Sequence, residues 1–286
     1  MMQLLPIYVD DIIRRALTED ITGMDVTTDF LLSPDDVSEA YLVAKAEGVL
    51  CGMEIAKRVF ELVGEGVVFE AKHSDGDRIQ KGDILAEMKG NTRTLLKGER
   101  TALNLLQHLS GIATETARCV ALTEGTNASI VDTRKTLPGI RALQKYAVRC
   151  GGGKNHRFNL SDGAMLKDNH IDACGGITAA ITQLRQHIGH MVRIEVEVRD
   201  LDELREALAA HADIIMLDNM DCPTMKEAVA ITKGAACLEA SGGITHDTIR
   251  EVAQTGVDII SLGALTHSVK AFDISMKWRK KSSPED

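Results

Sequence analysis

The chain has 286 residues, is 44% hydrophobic and carries a formal net charge of −9, which allows a sizeable core spread over one large and one smaller domain. The acidic balance excludes non-specific attraction to nucleic-acid backbones, so an anionic substrate would need a local basic pocket. Aromatic residues make up 3%, too few for a base-stacking platform, and the six cysteines form no C-x-x-C pair, which argues against structural zinc or a disulfide framework and fits reduced cytosolic thiols.

The N-terminus lacks the basic start of a signal peptide, and no run of ~18 apolar residues occurs, so a cytoplasmic protein without membrane spans is expected. Residues 7–18 have the spacing of an amphipathic helix. The segment HSDGDRIQKGDILAEMKG (73–90) alternates turns with short strands and resembles the hammerhead hairpins of biotinyl and lipoyl carrier domains. Those carriers attach their cofactor to a lysine at an exposed hairpin tip, ahead of the corresponding run. Here Lys89 follows GDILAEM, which counts against a carrier role. Residues 99–123 form a long amphipathic helix with Leu103, Leu106, Leu109, Ile112 and Ala113 on one face.

From residue 129 the chain acquires a rhythm. Apolar, β-branched runs fall at 129–131, 192–198, 213–218, 236–241 and 258–263, the last four about every 21–23 residues. Helical patterns at 201–211, 224–233 and 245–255 separate the later runs. Strands alternating with helices at this spacing predict parallel βα units, in a barrel or a doubly wound sheet. Asp132, Glu197, Asp218, Ser241 and Gly263 interrupt the runs at or near their carboxyl ends. A lone acid there is often a helix N-cap. Five interruptions at one rim point to a site, because barrel chemistry sits on that rim. The tail 278–286, WRKKSSPED, reads as a solvated end.

The expected basic pocket lies between 134 and 167, where Arg134, Lys135, Arg141, Lys145, Arg149, Lys154, Arg157 and Lys167 face only one acid, Asp162. Lys145 and Arg149 stand at i,i+4 and fit a solvated helix face. Arg134 and Lys135 directly follow a buried strand and should point at the rim. GGGKNHR (151–157) lacks the spacing of a phosphate-binding P-loop, but its glycines permit close approach of backbone to a ligand. His156 is either a hydrogen-bonded interior histidine or, beside Arg157, a donor to a planar carboxylate. SGGIT (241–245) and LGALT (262–266) offer unhindered backbone N–H groups after the last two strands, as in the phosphate cups of barrels. GGIT also occurs at 175–178, so the tetrapeptide alone proves nothing. Glu197 and Asp218 suit ribose hydroxyls, a magnesium ion or a developing cation. Glu195 and Glu197 alternate and so share one face of their strand.

Taken together, DTRKTLPGIRALQKYAVRCGGGKNHRFNLSDGAMLKDNH (132–170), followed in order by EVEV, MLDN, EASGGI and SLGALTHS, resembles the quinolinate phosphoribosyltransferase family, and GERTALNLLQHLSGIAT (98–114) matches its central helix. The resemblance covers almost the whole chain. It implies an N-terminal α+β sandwich-like, hammerhead-containing domain at 1–112 and an incomplete, seven-stranded α/β barrel at 113–270, with 271–286 packing back on the first domain. It implies conversion of quinolinate and phosphoribosyl pyrophosphate, with Mg2+, to nicotinate mononucleotide, pyrophosphate and carbon dioxide in NAD biosynthesis. It places Thr133, Arg134, Lys135, His156, Arg157 and Lys167 around the dicarboxylate, and Glu197 and Asp218 at the ribose and, directly or through substrate, the metal. Ser241, Gly242, Gly243, Gly263, Ala264 and Leu265 would hold the 5′-phosphate. Lys135, Lys167, Glu197 and Asp218 are the expected catalytic set. Arg100 would enter the partner's site in a homodimer, which could assemble further into a hexamer. Two rivals stay open: a ModD-like phosphoribosyltransferase of the same architecture, and an aldolase using Lys167 as a Schiff base, which needs an apolar pocket around that lysine.

Overall fold

A computed structural model describes residues 6–279; the expected solvated tail lies outside them from residue 280. The opening apolar pattern forms α1 (Pro6–Asp20), which buries Val9, Ile12, Ile13 and Leu17. There follow α2 (Thr28–Leu31), β1 (Val37–Ala44), β2 (Gly48–Val49), α3 (Met53–Val63), β3 (Val68–Ala71), β4 (Arg78–Ile79) and β5 (Ile84–Asn91). The long helix α4 (Thr92–Ala121) starts earlier than its apolar stripe indicates. Its first turn is capped by Asn91, whose Oδ1 accepts the Thr94 N–H at 3.1 Å. Gly98 is tolerated inside it because a Cβ there would stand 2.7 Å from the Phe60 ring. Leu103, Leu106, Leu109, Ile112 and Ala113 are all buried, as the periodicity requires.

The second half runs β6 (Ser129–Val131), α5 (Arg141–Cys150), β7 (Ala164–Leu166), α6 (Asp168–Cys174), α7 (Ile177–Arg185), β8 (Ile194–Val198), α8 (Leu201–Ala209), β9 (Ile214–Asp218), α9 (Cys222–Thr232), β10 (Cys237–Ser241), α10 (Ile249–Ala253), β11 (Ile259–Ser261), α11 (Ala264–His267) and β12 (Ile274–Trp278). All five apolar runs become strands. Asp200 and Asp221 cap α8 and α9 through their side chains, so these two acids are structural N-caps.

Contacts group the described residues into two compact units. One holds the chain up to Ala117, residues 136–152 and the chain from Thr266; the other holds Arg118–Lys135 and Gly153–Leu265. The sequence divides the chain at 112/113 and returns 271–286 to the first domain. The contact grouping differs because α5 leaves the βα series to pack beside α4. There Gln144 Nε2 donates to the Thr266 carbonyl at 2.8 Å and meets His108 Nε2 at 2.9 Å.

In the first unit β12–β1–β5–β3 form an antiparallel sheet, with β12 paired to β1 from Ala40–Trp278 to Ala44–Ile274. The chain after 270 thus returns to this unit. Lys89 lies inside β5 with its ammonium 2.9 Å from Glu39, so it occupies a strand rather than a hairpin tip. Lys145 corrects an expectation. It is only 3% exposed, between Leu143 and Ala147 on the buried face of α5. Only Arg149 of the pair is exposed.

The second unit contains a six-stranded parallel sheet in the order β6–β11–β10–β9–β8–β7. An isolated parallel bridge between Val131 and Lys154 adds a seventh position beside β6. These positions follow one another in chain order around a ring, broken between Lys154 and β7. His156, two residues past the bridge, meets Glu195 of β8 at 3.1 Å. A flat sheet would separate them by five strand spacings, about 24 Å. The sheet therefore curls into an incomplete barrel of six strands and one bridge position. Register aligns Glu197 with Met216, Met216 with Glu239, and Asp218 with Ser241.

Candidate active site

Period-2 alternation sends one set of side chains inward from each strand. Met165, Glu197, Met216, Asp218, Glu239, Ser241 and Ser261 line a cavity of about 620 Å³ at the carboxyl ends of the strands. Chain continuing past the strands completes the wall with Thr133, Arg134, Lys135, His156, Arg157, Lys167, Asn219, Gly242 and Gly243. Four cations thus meet three carboxyl groups in one cavity of an acidic chain.

Local structure explains how these groups are held. Asp132, the first residue beyond β6, is completely buried. Its carboxylate accepts the backbone N–H of His156 at 2.9 Å and the Asn155 amide at 2.6 Å, tying the glycine-rich segment to the strand end. Arg157 donates through Nη1 to the Gly163 carbonyl at 2.8 Å, which aims the rest of its guanidinium fork. Burial, together with the neighbouring positive charge of Arg134, lowers the Arg157 pKa from its ordinary value. Two cations held against mutual repulsion are ready to receive an anion. Lys167 sits at the N-terminus of α6, its backbone N–H bonded to His170 Nδ1 at 3.1 Å, and its ammonium lies 3.6 Å from Glu197.

Glu197 and Asp218 end the adjacent strands β8 and β9. Burial raises the Glu197 pKa, Lys167 opposes that rise, and the negative charge of Asp218 adds to it. At the next rim position Gly242 and Gly243 adopt φ of +93° and +61°. A Cβ on Gly242 would stand 2.6 Å from Asn219 Cγ, so glycine is required both by the backbone angle and by Asn219. The Asn219 N–H bonds the Ser241 carbonyl at 2.9 Å, which locks the two strand ends together.

Below the rim His156, Glu195 and Glu239 form a buried cluster. Nε2 of His156 lies 3.1 Å from Glu195 and 3.6 Å from Glu239. Nδ1 accepts the Arg157 N–H at 2.7 Å, which assigns the ring proton to Nε2, facing the carboxyl groups. Of the two readings of His156, the interior, hydrogen-bonded one describes its partners, while the ring still lines the cavity. Glu239 is 1% exposed, its Oε1 has no hydrogen-bond partner, and burial together with the Glu195 charge pushes its pKa up to about 7.

The cavity brings together the residues that the resemblance places from Thr133 to Gly243; of the eight cations expected in a basic pocket it holds Arg134, Lys135, Arg157 and Lys167, while Arg141, Lys145, Arg149 and Lys154 are not among its lining residues. Gly263, Ala264 and Leu265 lie just past β11 and are not among its lining residues, and Leu265 is buried at 1% exposure. Arg100 is an exposed residue of α4, outside the lining. Lys167 is half exposed and flanked by Glu197, unlike the apolar surroundings a Schiff-base lysine needs. Sequence reasoning did not single out Glu239, Ser261, Met165 or Met216. The signal for Glu239 was its i,i+2 relation to Ser241, the same alternation that links Glu195 to Glu197.

A curled parallel sheet with cations, carboxyl groups and a glycine cradle on its carboxyl rim defines an α/β-barrel enzyme for anionic substrates. Residues 25–110 and 112–277 match the families described as quinolinate phosphoribosyl transferase, N-terminal domain and C-terminal domain. The chain belongs to the quinolinate phosphoribosyltransferase family. It is 48% identical over 93% of its length to the probable nicotinate-nucleotide pyrophosphorylase [carboxylating] of Bacillus subtilis, of which the match covers 91%. It is 42% identical to the Mycobacterium leprae nicotinate-nucleotide pyrophosphorylase [carboxylating], over 93% of this chain and 95% of that one. The solved NadC structure from Streptococcus pyogenes superposes with a TM-score of 0.94 at 43% identity, covering 98% of this chain and all of that one.

Proposed function

We infer that the chain is a carboxylating nicotinate-nucleotide pyrophosphorylase, a pentosyltransferase that joins quinolinate to phosphoribosyl pyrophosphate and releases pyrophosphate and carbon dioxide. The step belongs to NAD biosynthesis and is assigned to the cytoplasm; among the described residues no helix is long and apolar enough to cross a membrane. The observation that carries the reading is the convergence of Arg134, Lys135, Arg157 and Lys167 on one cavity, opposite Glu197 and Asp218 and beside Ser241–Gly243.

Quinolinate brings two carboxylates. A unit charge pair at ~4 Å is worth roughly 4 kcal/mol at an effective dielectric of ~20. Several cations are therefore needed to hold it while phosphates also enter. Arg134, Arg157 and Lys167 grip the carboxylates and direct the ring nitrogen at the sugar C1, with Thr133, Lys135 and His156 completing the pocket. Gly242 and Gly243 present backbone N–H groups to the 5′-phosphate with Ser241, and the N–H groups of Gly263, Ala264 and Leu265 extend that cradle. As the C1–O bond to pyrophosphate breaks, positive charge grows on the ribose, and Glu197 and Asp218 stabilise it. The new N–C1 bond makes the ring a pyridinium, whose positive nitrogen stabilises the electron pair left on C2 when the carboxylate departs as carbon dioxide, and C2 then takes up a proton from solvent to give nicotinate mononucleotide. No side chain forms a covalent bond.

Magnesium fits the donor set, because Glu197 and Asp218 are neighbouring hard oxygen ligands, and burial, with the Asp218 charge adding to it, raises the Glu197 pKa. Bound with phosphoribosyl pyrophosphate, the ion supplies charge neutralisation of the leaving group. The resemblance further supports a homodimer with Arg100 entering the partner's cavity, and sizing with light scattering distinguishes that dimer from a hexamer of three dimers. The test of the function is incubation with quinolinate, phosphoribosyl pyrophosphate and Mg2+. Nicotinate mononucleotide and carbon dioxide appear in equal amounts, and nicotinate does not replace quinolinate. Absence of product from folded protein, or equal use of nicotinate, overturns the assignment.

A further inference from the structure

A second cluster of reactive side chains lies in the unit that contains the antiparallel sheet. Cys51, between β2 and α3, and Cys150, the last residue of α5, place their sulfurs and an Asp75 carboxylate oxygen within 4.8 Å of one another. Both cysteines are free thiols. Each is held by its backbone. The Cys51 N–H donates to Ser110 Oγ at 3.0 Å, and the same hydroxyl donates back to the Cys51 carbonyl at 3.1 Å. Gly151, next to Cys150, approaches α4 so closely that a Cβ would stand 2.6 Å from Thr116 Cβ. The two sulfurs are therefore kept near each other by packing on one helix.

The ligand types in this cluster could hold a soft divalent ion, but the surroundings oppose it. Asp75 is already engaged at both oxygens, by the N–H groups of Gly52 and Met53 at 2.8 and 2.9 Å and by the Tyr146 hydroxyl at 2.8 Å. These N–H groups open α3, where the helix dipole favours an anion over a cation. The geometry points instead to thiol chemistry: we propose that Cys51 and Cys150 are a reversible, peroxide-responsive disulfide pair, with Cys150 attacking and Cys51 resolving.

Access and charge assign the two roles. Cys150 is half-buried, whereas Cys51 is fully buried. The hydrogen bond from Cys51 lowers the Cys150 pKa, while burial pushes the Cys51 thiol well up. Cys150 is therefore the more readily ionised of the two, and the sulfur a small oxidant reaches first. Its sulfur takes one oxygen of hydrogen peroxide, the O–O bond breaks, and the departing hydroxide becomes water. Cys51 then attacks the Cys150 sulfenic acid, the S–O bond breaks, and the hydroxyl leaves with the Cys51 proton as a second water. Two thiols and one peroxide give one disulfide and two waters, and a dithiol reductant reverses the bond.

The test uses the full chain exposed to hydrogen peroxide and then analysed by intact mass and non-reducing peptide mapping. Wild type is expected to lose two hydrogens and yield a Cys51–Cys150 cross-linked peptide that dithiothreitol dissolves. In Cys51→Ala no cross-link forms, and dimedone labels the sulfenic acid stranded on Cys150. Cys150→Ser is the second variant, in which Cys51 stays unmodified; its turnover in the reduced state reports an intact fold. A peroxide dose that modifies the exposed Cys174 while leaving Cys51 and Cys150 unlinked overturns the proposal, as does persistent dimedone labelling of Cys150 in wild type without a cross-link.

Discussion

Replacing Glu239 by glutamine should change the pH dependence of stability more than stability itself. Glu239 is 1% exposed, and burial beside the Glu195 charge raises its pKa from 4.5 to about 7. That difference corresponds to about 3 kcal/mol at roughly 1.4 kcal/mol per tenfold change in proton affinity. The folded state holds the proton more tightly than the unfolded chain does. The associated stability is thus fully present below pH 4.5 and is lost as pH rises through about 7. Glutamine keeps the shape and cannot ionise. The unfolding free energy of wild type minus that of Glu239→Gln should therefore fall by about 3 kcal/mol between pH 4.5 and pH 8. Urea unfolding followed by far-UV circular dichroism measures this. Tryptophan fluorescence does not, because the single tryptophan, Trp278, lies in β12 of the other unit. A difference that stays constant across this range would refute both the buried, protonated state of Glu239 and the charge coupling beneath the cavity.

Two further outcomes follow from the rim and the assembly. Gly242→Ala should destabilise by about 2–4 kcal/mol, combining a left-handed backbone angle with a clash on Asn219, or displace Asn219 and raise KM for phosphoribosyl pyrophosphate; a thermal melt and kinetics like wild type would dismiss the cradle argument. Arg100→Ala mixed with Lys167→Ala should regain about a quarter of wild-type activity if sites are shared between subunits, the statistical yield of one intact site in half of the dimers; mixed dimers shown to form yet inactive would count against sharing.

The sequence carried the barrel because parallel strands are buried on both faces and read as apolar runs at regular intervals, and all five runs fold as strands. Arg134 and Lys135 were legible at the cavity because they directly follow the buried strand β6. Gly242 and Gly243 were legible as a glycine pair at a strand end. β7 escaped because Ala164–Leu166 is too short to show a period, and the first seven residues of α4, 92–98, escaped because a glycine, accommodated against Phe60, stands between the rest of them and the apolar stripe. Lys145 escaped for a tertiary reason: α5 packs beside α4, and its i,i+4 charge spacing carries no trace of that burial. Cys51 and Cys150 are distant in sequence, so only the packing of both on α4 brings their sulfurs together.

The central claim is that positive charge is placed at the barrel mouth, not merely present on the chain. It is tested most directly by measuring equilibrium binding of quinolinate to Arg157→Ala and to Lys154→Ala. Arg157 lines the cavity, whereas Lys154, three residues away, is exposed and donates to Ser129 Oγ at 2.9 Å. Allowing solvent to halve a pair worth roughly 4 kcal/mol leaves about 2 kcal/mol, so Arg157→Ala should weaken binding about thirtyfold. Lys154→Ala should bind within about twofold of wild type, since an exposed pair outside the cavity contributes little. Equal losses in the two variants, or none in either, would contradict the account.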